Sequence, residues 1–167
     1  DKEIARPNPA PFLHIVRRLF EAAGQQPYAR DAEELATLMA YSSRLVRGLV
    51  RDRLAELRLQ GIDRHPLLDV RREFRDVLYA HPEAAGYNPR DFDALFSAAF
   101  AQTLAFGLLL VREATAEAVG PNAWEHMPPE HPLMRTALRV LSLDEVVRDI
   151  GVGFDVMIDT VNSFTRE

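Results

Sequence analysis

The sequence predicts an all-α fold: one bundle of five to seven helices packed around a central buried helix at about residues 88–119. Two observations predict it. Apolar residues recur at spacings of three and four along almost the whole chain, and no strand-like alternation bounded by turns appears anywhere. The stretch Phe92–Val119 is also too apolar for a helix with a single buried stripe. Phe92, Leu95, Phe96, Ala99, Phe100, Leu104, Phe106, Leu110 and Val111 all fall within it, so neighbours are expected on most sides. Ala98, Ala99, Ala101, Ala105 and Gly107 let those neighbours come close. Its longest unbroken apolar run, Leu104 to Val111, is far shorter than the roughly 18–20 residues of a membrane span.

The elements follow in order. Residues 1–11, with Pro7, Pro9 and Pro11, form an extended lead-in, and residues 12–167 form the helical domain. Phe12–Ala23 places Leu13, Val16, Leu19 and Phe20 at helical spacing and stops at Gly24. A long helix spans Asp31 to about Gln60. Asp31 caps it, Glu34 follows three residues on, and its stripe runs from Leu35, Leu38, Met39 and Ser42 to Leu54 and Leu57. Gly61 ends that helix. Leu67–Ala80 turns Leu67, Val70, Phe74, Val77 and Leu78 inward. Asn88 and Pro89 open the central helix, and Val119-Gly120-Pro121 closes it. A loop over 120–132 is pinned by Trp124 and Met127, and Leu133–Leu141 is a short helix. Ser142 and Glu145 form a capping box for a last helix that runs to about Phe164.

Bulk properties narrow the function. The length of 167 residues suits one ordinary domain, and 47% hydrophobic with 27% charged residues is globular in character. The chain has no cysteine, which removes disulfides, thiolate metal sites and cysteine nucleophiles and suits a cytoplasmic location. No membrane partner is expected. The net charge of −5 argues against strong DNA binding by this chain alone. The charge is polarised, however. Between residues 44 and 75 nine arginines face five acids, an excess of +4. Arg44, Arg47, Arg51 and Arg58 share one helix face, with Arg53 close by, and are the candidate DNA-backbone contacts. No aromatic residue is interleaved among them, so base stacking on this face is not indicated.

Other constellations have structural readings. Gly151 and Gly153 resemble a phosphate loop only in composition, because they sit inside a helical stripe from Val146 to Val161, where close helix packing is the expectation. Glu125-His126 and Glu130-His131 are separated by Pro128-Pro129 and lack the spacing of a metal site. His65, His81 and His131 each precede a proline and mark element boundaries. Gln102 and Thr103 are expected to make structural bonds inside the apolar run, and Asp91 and Asp93 to complement the dipole at a helix start. Ser42, Ser43 and Ser97 have no base at a suggestive spacing. No catalytic, cofactor-binding or metal-ligating residue is assigned.

Three stretches carry a resemblance. Phe100-Ala-Gln-Thr-Leu-Ala-Phe-Gly-Leu-Leu-Leu-Val-Arg112 resembles a helix of the large bacterial N6-adenine DNA methyltransferases of the single-chain restriction–modification type (type IIG and its ATP-driven relatives). His131-Pro132-Leu133-Met134-Arg135 is similar to an Asn-Pro-Phe-Leu-Arg sequence that follows that helix in the family, with His for Asn and Met for Leu. Glu34-Leu-Ala-Thr-Leu-Met-Ala-Tyr-Ser-Ser-Arg-Leu-Val-Arg47 also resembles an earlier family helix. The resemblance spans about residues 24–164. It implies a helical spacer just ahead of the methyltransferase domain, with flanking domains of the same polypeptide as partners. DNA and S-adenosylmethionine would be bound by the parent protein. The family's catalytic Asn-Pro-Pro-Tyr is absent from the chain, so no enzymatic activity is expected of it alone. The alternative is a free-standing helical ligand-binding or dimerisation domain, as in the effector half of a transcriptional regulator, with the Phe-rich helix lining an apolar pocket.

Overall fold

A computed structural model describes residues 29, 31–78, 88–115 and 117–164. Five α-helices lie among them: α1 (Ala32–Leu59), α2 (Pro66–Leu78), α3 (Pro89–Ala114), α4 (Pro132–Arg139) and α5 (Asp144–Ser163). Short 3₁₀ turns at Ala123–His126 and Val140–Ser142 flank α4, and no strand occurs among the described residues. The lead-in 1–11 and the helix expected over Phe12–Ala23 lie outside the described residues, as do His81 and the end of the helix expected to run to Ala80.

The α1 helix begins as its cap dictates. The Asp31 carboxylate accepts the Glu34 N–H at 2.8 Å, satisfying a donor that the first turn leaves without a partner. It ends at Gly61, whose φ of 67° is the left-handed conformation that glycine reaches without a Cβ penalty. Met39, Ser42, Val46, Val50, Leu54 and Leu57 form its buried face. That face packs against both α3 and α5. His65 starts α2: its Nδ1 accepts the Leu67 N–H at 3.2 Å, which gives the His-Pro boundary a physical cause.

The core centres on α3, as its composition predicts. Phe92, Phe96, Phe100, Leu104, Leu108 and Val111 are buried along one side. Phe74 from α2 meets the Phe96 and Phe100 rings edge-on, at centroid separations of 5.4 and 6.1 Å. Phe96 and Phe100 lie 5.6 Å apart, so these rings fill the space between helices. Residues 92–114 are long and apolar enough to cross a membrane, and half of that stretch is buried against neighbouring helices.

Small residues set the closest approaches. Gly153 of α5 sits where a Cβ would lie 2.9 Å from Leu49 Cδ1 and 3.1 Å from Val46 Cγ2. Gly107 of α3 similarly admits the Leu138 side chain of α4. Both glycines of the Gly-x-Gly pair therefore lie inside α5, and Gly153 is the one against which α1 packs.

Three expectations need correction. The central helix ends at Ala114, five residues before Val119. Thr115 closes it: its hydroxyl donates to the Val111 carbonyl at 2.9 Å, and Arg112 reaches the Glu117 carbonyl at 3.3 Å. The chain then turns to Val119, whose N–H and C=O are both held at 2.8 Å by the Asn162 amide of α5. Second, Ser142 does not cap α5. It lies in a 3₁₀ turn continuing from α4 and donates to the Arg139 carbonyl at 2.8 Å, so Leu143 takes the cap position without a side-chain bond. Third, Val77 and Leu78 are 61% and 46% exposed, because the buried face of α2 stops at Phe74. The α3 helix has neighbours on most sides but not over Leu95, Phe106 and Leu110, which are 44%, 59% and 45% exposed, with Gln102 exposed among them.

Candidate functional site

The basic face of α1 is a consequence of its buried face. With Val46, Val50 and Leu54 turned into the core, Arg44, Arg47 and Arg51 project from the opposite side and are exposed. Arg44 and Arg51 are seven residues, or two turns, apart. The three guanidinium groups are thus carried on about 10 Å of helix. Arg44 lies over the Tyr41 ring, 5.2 Å from its centroid, and Tyr41 is itself largely exposed. An aromatic side chain therefore does border the arginine row, one turn before it. The sequence window beginning at residue 44 excluded it, although the three-residue spacing was the available signal. Arg51 makes an exposed ion pair with its neighbour Asp52 at 3.4 Å.

Arg58 leaves this row. Its guanidinium donates to the carboxylate of Asp93, which also accepts from Arg71 Nε at 2.6 Å. Asp93 is only 5% exposed, and Arg71 stacks on Phe92 at 4.8 Å. The residue expected to serve the helix dipole is instead a buried ionic hub joining α1, α2 and α3. A surface groove of about 230 Å³ opens beside it, lined by Leu54, Arg58, Ile62, Leu68, Arg71 and Asp93.

Arg53 also faces inward. Its Nε lies 2.8 Å from the Asp149 carboxylate and its Nη1 lies 3.0 Å from Glu56. The Nε–H is not aimed along the first contact, so this is an ion pair without a proper hydrogen bond. Buried His65 completes the cluster, with Nε2 at 3.2 Å from Asp149. Arg53, Asp149 and His65 thereby tie α1, α5 and the start of α2 together.

The remaining singled-out residues are dispersed. Glu125, His126, Glu130 and His131 are all exposed, and among the described residues no three His, Asp or Glu side chains converge as a metal site. Ser42 and Ser97 are buried and donate to the backbone carbonyls of Met39 and Asp93. A second groove, about 300 Å³, lies over Trp124, Pro129, Arg135 and Arg139, with Arg135 stacked on Trp124 at 5.6 Å. No protein-family model, curated protein or solved structure matches this chain.

Proposed function

We propose that this chain is a helical coupling module of a DNA adenine-N6 methyltransferase of the restriction–modification type. It positions the methyltransferase domain against the rest of the polypeptide. Arg44, Arg47 and Arg51 make its contacts to the DNA backbone, while Arg58 serves the fold. The observation that carries this reading is the two-sidedness of α1. One face is clamped by α3 and α5, and the other presents guanidinium groups to solvent, so contact with a phosphate backbone would be transmitted directly into the core. The resemblance of residues 24–164 to the family's spacer supplies the class of parent protein.

S-adenosylmethionine belongs to the methyltransferase domain on this reading. The glycines that would have to cradle it here lie inside α5, with Gly153 against Val46 and Leu49, and offer no loop. The test has two arms. The purified chain, mixed with methyl donor and duplex DNA, neither binds the donor nor transfers a methyl group; either activity would defeat the proposal. Fluorescence anisotropy at low salt shows weak, sequence-independent DNA binding. In the R44E/R47E/R51E variant that binding is lost with the helical content intact. Binding unaffected by the triple substitution would overturn the backbone contact.

A further inference from the structure

The groove of about 300 Å³ beside α4 is lined by Trp124, Pro129, Pro132, Arg135, Thr136 and Arg139, two cations and no acid. In a chain of net charge −5 this is a local reversal of sign. The groove at Asp93 also holds two arginines, but both are committed to that carboxylate. Arg135 and Arg139 make no ion pair with an acid among the described residues. Glu125 and Glu130, on the same loop, are exposed and do not line the groove.

The fold holds these groups in place before any ligand arrives. Ala137 and Leu138 are fully buried and anchor α4 in the core. Thr136 donates to the Glu73 carboxylate at 2.9 Å, which ties α4 to α2 and engages that acid. Ala123 and Met127 are buried at the two ends of the turn that carries Trp124. Arg135 and Arg139 are one turn apart on α4, so their Cβ atoms are about 5–6 Å apart. Two guanidinium groups at that spacing can grip one tetrahedral anion in forked hydrogen bonds. Arg135 also lies over the Trp124 ring, 5.6 Å from its centroid. A guanidinium is flat, so with one face on the indole its other face is left to stack a second planar group.

We infer that this groove binds a phosphate carried on a planar ring, which is the chemistry of a nucleotide. Arg135 and Arg139 take the phosphate with their N–H edges. The ring extends the Trp124–Arg135 stack, with Pro129 and Pro132 as apolar walls. A volume of about 300 Å³ stands at the small end of the range for ligand sites, which suits one nucleotide and not a length of strand. A free mononucleotide and the phosphorylated end of a strand offer the same groups. The inference does not depend on the coupling function, which uses α1.

Trp124 is the only tryptophan in the chain, so its fluorescence reports on this groove alone. The full chain is titrated with adenosine monophosphate, inorganic phosphate and adenosine, followed by that fluorescence and by calorimetry. The expected result is saturable binding of the nucleotide, about tenfold or more tighter than either half, since only the nucleotide uses both parts of the site. Arg139→Ala, at an exposed position, weakens nucleotide binding by about tenfold or more with helical content unchanged. A 5′-phosphorylated dinucleotide that displaces the mononucleotide assigns the site to strand ends, and one that does not assigns it to free nucleotides. No saturable binding, or binding that survives Arg139→Ala, overturns the inference. Inorganic phosphate or adenosine binding as tightly as the nucleotide would remove the ring or the anion from the site, and either result also overturns it.

Discussion

Gly153→Ala and Gly48→Ala are the same chemical change in two helix interiors, and the structure separates their outcomes. Each replacement gains about 1 kcal/mol of helix propensity. At Gly48 an added Cβ meets nothing within 4 Å, so the gain is realised in full. At Gly153 the same atom would lie 2.9 Å from Leu49 Cδ1 and 3.1 Å from Val46 Cγ2. The Leu49 tip is partly buried and can move. Val46 is fully buried and β-branched, with essentially one side-chain rotamer in a helix, so relief there requires α1 and α5 to separate. Overpacking of this kind costs about 1–3 kcal/mol. Gly153→Ala should therefore fall below Gly48→Ala by about that amount, a gap of roughly 3–10 °C in Tm for a chain of this size. Thermal and urea unfolding followed by far-UV circular dichroism measures both. Equal stabilisation by the two substitutions would show that α1 and α5 do not approach as closely at Gly153 as the geometry requires.

Two further outcomes test the polar framework. Asp93→Ala removes the buried carboxylate that accepts from both Arg58 and Arg71 and should cost about 1.5–3 kcal/mol in urea unfolding. Arg58→Ala, at the exposed side of the same hub, should cost about 1 kcal/mol or less. Asn162→Ala removes both bonds to the Val119 backbone and should cost about 1–3 kcal/mol, with faster amide exchange at Val119.

The helices were legible because their signals are local. Asp31 and Gly61 bound α1, Pro66 and Pro89 open α2 and α3, and the apolar spacing of Val46, Val50 and Leu54 names the face that is buried. What was not legible depended on partners distant in sequence. Asp93 looked like a carboxylate at a helix start, because its partners Arg58 and Arg71 lie 35 and 22 positions away. The end of α3 was misplaced for the same reason. Gly120-Pro121 is a strong local stop, but the chain leaves the helix earlier to meet Asn162. Ser142 and Glu145 had the spacing of a capping box, yet Ser142 is drawn into the 3₁₀ turn that continues α4, with its hydroxyl donating to Arg139, and Leu143 takes the cap position. The one open side of α3 is a different case. An apolar residue pattern says that no face is built for water; it does not say that every face is already covered.

The arginine row also requires a spatial count. Along the sequence the 44–75 segment carries nine arginines and five acids. Folding brings Asp93 against Arg58 and Arg71, and Asp149 against Arg53, and Arg75 pairs with Asp76, so three acids from outside the segment join it and the excess falls from +4 to +1. Arg72 pairs with Asp69. Arg44, Arg47 and Arg51 then remain as the cluster turned outward on α1. A binding mode using all nine arginines would lose affinity with salt at a logarithmic slope near −8, whereas three contacts give about −3. Titrating salt against duplex binding should return the smaller slope. Arg53→Ala should leave that slope unchanged while lowering stability, since its charge is spent on Asp149 and Glu56. A slope of the larger size, or one that falls with Arg53→Ala as much as with Arg47→Ala, would mean that these inward arginines exchange their carboxylates for phosphates on binding.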